Sequence, residues 1–225
     1  MAANLETIHE LRRLLADRFG AFTPGAERNF VTGLDLLDEI GVPQAALTEI
    51  VSTVSSGPGG ALLLYGLLHA AIQSGQNVVL IDGKRAFAPK GLPASDLRRL
   101  LWTRCGNAWE VIKAADLAIR DGNVPLVILL LTINPAGELN KIPANAWHRL
   151  QMLGEKSSVT TLVFSPHAMV GCARLRIAVG GAFPIEKLHG MREELLPSLS
   201  LRVERRKVAA ERRWNDEELR RPACA

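Results

Sequence analysis

The rhythm of apolar and polar positions changes several times along the chain. Leu5, Ile8, Leu11, Leu15 and Phe19 recur at intervals of three and four, which predicts an amphipathic helix near the N-terminus. GAFTPGAERNFVTG breaks it with glycine and proline. LDLLDEI then reads as a short helical turn, and ALTEIVS as the first strand of the main domain. Residues 60–74 have almost no polar side, which predicts a helix buried between a sheet and another layer, with Gly75 placed to end it. NVVLID supplies an apolar strand ending in an acid, and LRRLLWTR passes from a helical turn into a strand. Asn107 and Glu110 form a capping box for a helix through Arg120, which Gly122 closes.

PLVILLLTI is too uniformly apolar for a strand with one wet face, so it belongs at the centre of a parallel sheet covered on both sides. Pro143 starts a helix containing Trp147, Leu150 and Leu153, and TTLVFS is another buried strand. ARLRIAVG and SLSLRVERR alternate instead, as antiparallel strands with one solvated face do. Together these elements predict an α/β fold: a mostly parallel central sheet flanked by helices, with a C-terminal antiparallel extension and an N-terminal helix. The expected organisation is an N-terminal helix and linker over 1–29, the main domain over 30–207 and a basic tail over 208–225.

A length of 225 residues with 48% hydrophobic content suits one α/β domain with appendages. The longest apolar runs fall short of a membrane span, and the N-terminus carries acids and arginines where a signal peptide needs an apolar core. A cytoplasmic protein without membrane contact is therefore expected. Cys105, Cys172 and Cys224 are far apart, and the five histidines are dispersed, so neither a disulfide framework nor a metal site is expected, and two of the thiols are read as core residues. The net charge of +4 is unevenly placed: residues 202–225 hold 8 basic and 5 acidic side chains, which puts any attraction to DNA or an acidic partner near the C-terminus.

The candidate chemistry lies in TEIVSTVSSGPGGALLLYGLL, an apolar strand, a Ser/Gly-rich turn and a helix. In a working phosphate-binding loop, GxxxxGK[ST], backbone amides surround the phosphates, the lysine neutralises them and the hydroxyl holds magnesium. This loop keeps Ser55, Ser56 and Gly57 but has Ser52 at the first glycine position, Pro58 at the lysine position and Gly59 at the hydroxyl position. Pro58 also removes a backbone donor.

The segments TGLDLLDEI, GVPQAALTEIVSTVSSG, VVLIDGKRAFAP, LLWTRCGNAWEVIKAADLAIRDGNVPLVILL and RLRIAVG with LSLRVERRK follow one another as in the RecA-fold recombinase ATPases, which the chain resembles over roughly residues 30–207. That resemblance implies that Asp82 matches the acid ending the second strand, that Lys84 stands at the catalytic glutamate position, and that Leu130, Leu131 and Thr132 stand where a magnesium-linked aspartate belongs. With three elements of hydrolysis absent, ATP turnover is not expected, and no cofactor is assigned. The pattern from Thr32 to Asp38, with that from Pro43 to Ile50, most resembles SulA/ImuA-type proteins. An ImuA-like protein would be a non-catalytic accessory factor of error-prone translesion synthesis, working with a Y-family polymerase-like partner and an error-prone replicative-type polymerase. A SulA-like one would bind the division protein FtsZ. RecA itself is a further candidate partner, and a divergent nucleotide-dependent DNA-binding ATPase is the enzymatic alternative.

Each residue also has a plainer reading. The loop can be a structural turn inherited with the fold or hold an anion weakly; Lys84, Arg85 and Lys90 can be a solvated basic loop; Asp82 can cap its own loop. Trp102, Trp109 and Trp147 are expected in core or edge packing. Trp214, among arginines in a polar tail, reads as an interface anchor, with Arg205, Arg206, Lys207, Arg212 and Arg213 steering toward DNA or an acidic protein face, or as a residue docked on its own domain. The N-terminal helix would dock in cis or on a second copy, so self-association is an open expectation.

Overall fold

The structure, a computed structural model, describes residues 28–52, 59–181 and 192–207. A seven-stranded sheet organises them. Its strands in chain order are β3 (Leu47–Val51), β4 (Val78–Asp82), β5 (Leu100–Arg104), β6 (Leu126–Leu130), β7 (Thr160–Ser165), β8 (Leu175–Gly180) and β9 (Ser200–Arg206), preceded by a small antiparallel pair, β1 (Asn29–Phe30) and β2 (Val42–Pro43). Across the large sheet the order is β5-β4-β6-β7-β3-β8-β9. Every pairing is parallel except β8 with β9, so the expected architecture, a mostly parallel sheet with an antiparallel C-terminal strand, is the one observed. The uniformly apolar β6 lies inside the sheet between β4 and β7, one place from its middle.

Period-two alternation divides the interior strands between two cores. Val78 and Leu80 of β4, Leu126 and Ile128 of β6, and Leu162 and Phe164 of β7 face α2 (Gly59–Gln73). Val79, Ile81, Val127, Leu129 and Val163 face α4 (Ala108–Asp121) and α6 (Ala144–Ser157) on the opposite side. This is why these strands read as continuous apolar runs: both faces are covered. β8, near the sheet's end, alternates buried and half-buried positions, as its sequence pattern requires.

The predicted helix boundaries have visible causes. The Asn107 side chain accepts the Glu110 amide at 3.0 Å, and Gly122 ends α4 in the left-handed conformation. Glu110 also reaches back to the Gly106 amide at 2.7 Å, one residue earlier than the usual reciprocal bond. The short elements α1 (Asp35–Asp38), α3 (Ala94–Leu97), α5 (Ala136–Leu139) and α7 (Arg192–Leu195) complete the described α-helices. The β1–β2 pair, α5 and α7 do not follow from the sequence pattern, which reads AFPIEKLHGMREELLP as a loop.

The TGLDLLD segment folds around one carboxylate. Asp38 accepts the Thr32 amide at 2.7 Å and the Thr32 hydroxyl at 2.8 Å through one oxygen, and the Gly33 amide at 3.0 Å through the other. Gly33 has φ +76°, and a Cβ there would stand 2.5 Å from Ser74 Oγ and 2.9 Å from the Ala70 carbonyl oxygen, so only glycine fits against the end of α2. Among the described residues, no helix is long and apolar enough to cross a membrane.

Candidate functional site

In an open parallel sheet, ligands bind beyond the C-terminal ends of the strands, which directs attention to the segments after β3, β4 and β6. Thr53 to Pro58, with Ser55, Ser56 and Gly57 among them, lie outside the described residues. Ser52 is buried and donates its amide to the Ser165 carbonyl at 2.9 Å. The first turn of α2 rests directly on it: a Cβ at Gly60 would fall 2.1 Å from Ser52 Oγ. At Gly59, where the magnesium-binding hydroxyl would be attached, a Cβ would stand 3.2 Å from both Leu199 Cδ2 and Val179 Cγ1. Apolar side chains of the β8–β9 end therefore crowd the position that the missing hydroxyl would need.

Asp82 ends β4 fully buried. One carboxylate oxygen accepts the Ala86 amide at 2.9 Å and the Lys84 amide at 3.3 Å, and the other accepts the Phe87 amide at 3.0 Å. These bonds hold a tight loop in which Arg85 takes a left-handed φ of +59°. The carboxylate is thus engaged with its own loop.

Lys84 reaches sideways. Its ammonium donates to the Gly106 carbonyl at 2.8 Å and pairs with Glu138 Oε1 at 2.8 Å. The other Glu138 oxygen accepts the Ala108 amide and the Asn134 side chain, each at 3.1 Å. The clasp ties the loop after β4 to the start of α4 and to α5. Its bonds, led by the one from Lys84 and then that from Asn134, hold the Glu138 carboxyl below the usual range. At the end of β6, Leu130 and the following Leu131 are buried, one in each core, and Thr132 is half-buried.

A second polar centre escaped the sequence reading. Glu49, in the middle of β3, is fully buried and pairs with Arg176 Nε of β8 at 2.6 Å. Its other oxygen accepts the Met169 and Val170 amides at 2.7 and 2.9 Å and the Ser165 hydroxyl at 3.2 Å. The segment after β7 is thereby anchored to β3, and its carbonyls are gathered by cations: Arg205 on Val170 at 2.8 Å and on Ala173 at 3.3 Å, and Lys207 on Gly171 at 2.7 Å. Arg206 donates to the carbonyls of Ile40 and Gly41. The three tail-proximal cations that sequence reading aimed at DNA or an acidic partner thus end on oxygens of their own chain, although Arg206 and Lys207 remain exposed. Arg212, Arg213 and Trp214 lie outside the described residues. The available signal was the acid itself, since a carboxylate inside an otherwise buried strand must have a partner.

Trp147 is buried and Trp102 half-buried, but Trp109 is 45% exposed, against the expectation of core or edge packing. Cys105 is buried and Cys172 half-buried, and burial is the main cause raising both thiols above their ordinary range. No cluster of three or more histidine, cysteine or acidic side chains suited to a metal ion occurs among the described residues.

No protein-family model matches the chain, and no curated protein matches it in sequence. Among solved structures, the RadB recombinase is similar in fold, with a TM-score of 0.52 and 15% identity, over 68% of this chain and 82% of that one. The RecA-like fold is common to the two.

Proposed function

We propose that this chain is a non-catalytic RecA-like scaffold of the bacterial DNA-damage response, supporting error-prone translesion synthesis through protein contacts. The observation that carries the reading is the condition of the hydrolytic positions. Asp82 is bonded to the amides of its own loop, Lys84 is clasped to Glu138, and Leu130 and Leu131 belong to the cores. Phosphoryl transfer depends on cations and acids aimed at the phosphates and the attacking water, and these groups point into the protein's own structure instead. The fold held in common with a recombinase supports a setting in DNA transactions. The ImuA-like pattern in TGLDLLD and PQAALTEI supports a Y-family polymerase-like protein and an error-prone replicative-type polymerase as partners.

The test combines turnover with capture. The full chain should release no phosphate from magnesium-ATP above background, and Pro58→Lys with Gly59→Thr should not restore release, because Lys84 and the apolar end of β6 remain. Turnover by the unmodified chain, lost in Asp82→Asn, would establish the ATPase alternative and overturn the scaffold reading. Capture of a purified Y-family polymerase would support the repair assignment, whereas selective capture of FtsZ would replace it with division control.

A further inference from the structure

On the side of the sheet opposite α2, helices α4 and α6 leave a groove of about 960 Å³ between them. It is remote in sequence from the nucleotide-site positions and plays no part in the clasp around Lys84. Eight large apolar side chains are exposed among the described residues, and three of them, Trp109, Leu117 and Met152, converge here at 45%, 67% and 69% exposure. The floor between them is the buried Ile112 and Leu150 of the core beneath. Single exposed apolar residues are ordinary, but a cluster with a solid floor and a polar rim marks a contact surface.

The rim has a sign. Lys113 and Lys156 are exposed and have no ion-pair partner among the described residues, and His148 stands exposed beside them. The single acid of the lining, Asp116, is bonded to Arg149 Nε at 2.5 Å and also to Arg120. These guanidiniums, the Arg149 hydrogen bond foremost, hold its carboxyl below the usual range, so the one negative charge is matched within the protein. The lining extends over more than two turns of each helix, and a channel between two packed helices has the shape that accepts a third.

We infer that the α4–α6 groove binds an amphipathic helix of a partner protein, whose apolar stripe lies on Trp109, Leu117 and Met152 and whose flanking Asp and Glu side chains meet Lys113 and Lys156. The acidic flank follows from the rim, and the helical form follows from the length of the groove. The inference adds a partner chemistry to the scaffold reading but does not depend on the absence of ATP turnover.

The test uses the full chain and two labelled synthetic helical peptides of about four turns, with identical leucine stripes and either glutamate or lysine flanks. The glutamate peptide should bind saturably in fluorescence anisotropy, about tenfold or more tightly than the lysine peptide. Leu117→Glu and Met152→Glu should each weaken it by about tenfold or more while leaving the melting temperature unchanged, because both side chains are exposed. Lys113→Glu combined with Lys156→Glu should invert the preference between the peptides. Equal binding of both peptides, or glutamate-peptide binding indifferent to Met152→Glu, would overturn the inference. So would a dimer in sedimentation velocity that Met152→Glu dissolves, which would assign the groove to a second copy of this chain. Duplex DNA binding that is lost in the lysine reversals but kept in Met152→Glu would also overturn it, by assigning the rim to phosphates. Phosphate release from ATP, measured on the same variants, tests the scaffold reading separately.

Discussion

Two acid–base pairs lie beside opposite halves of the sheet, and their surroundings make them different objects. Glu49 and Arg176 join β3 to β8 with the acid fully buried and the arginine side chain 15% exposed. Lys84 and Glu138 join the loop after β4 to α5 at 32% and 28% exposure. The first acid also holds two backbone amides and a hydroxyl, so the pair is part of how the chain is folded. The second can exchange its partner for solvent at little loss. An acid–base pair beside the loop after β4 is thus a modest surface clasp, while the more deeply buried pair joins β3 to β8.

The largest effect that would break this comparison comes from Arg176→Met. Stranding the Glu49 carboxylate in the sheet should destabilise the chain by about 3–5 kcal/mol in urea unfolding, with loss of protection at the Met169 and Val170 amides in hydrogen exchange. A change near zero would place Glu49 in a solvated setting and abolish the contrast. Asp82→Ala comes next, because it leaves the Ala86 and Phe87 amides without their acceptor; about 1–3 kcal/mol should be lost, with near-normal secondary structure by circular dichroism. Lys84→Met should lower the melting temperature least among the three, and less at high salt than at low salt.

The smallest effect sharpens the contrast through pH. Because the folded-state pKa of Glu138 is depressed by Lys84, Asn134 and the Ala108 amide, its contribution is fully present above the ordinary carboxylate range and is lost as pH falls through the lower folded value. The melting temperatures of the parent chain and Glu138→Gln should accordingly differ at pH 7 and converge in acid. A difference that persisted unchanged below the carboxylate range would remove the ionised form from the clasp.

The elements that proved legible are those whose cause is local. NVVLID, PLVILLLTI and TTLVFS are apolar on both faces, so burial on both sides could be read directly, and Asn107, Gly122 and Gly75 carry their own cap chemistry. That Pro58 and Lys84 depart from the residues of the resembled family is equally local, since a motif either contains a residue or does not. The partners that charged positions take are hidden by distance along the chain. Nothing near Lys84 announces Glu138, and nothing in TEIVS announces Arg176, 127 residues later. Arg205 and Lys207 looked like free cations because the carbonyls they meet belong to a segment whose path the sequence does not reveal. An aromatic in an amphipathic helix normally packs inward, whereas the placement of α6 beside α4 leaves Trp109 at the mouth of a groove.

The position of β3 governs the order in which the protein can be completed during synthesis. It is the first strand of the large sheet to leave the ribosome, yet its neighbours are β7 and β8, so Glu49 must wait 116 residues for Ser165 and 127 for Arg176. At about 5–20 residues per second, that is an interval of roughly 6–25 s in which a strand built to be buried on both faces has neither of its pairing partners. β4 and β5 are neighbours and have no such delay. Until then β3 lacks both of the neighbours it pairs with in the folded protein, and the Glu49 carboxylate lacks Arg176.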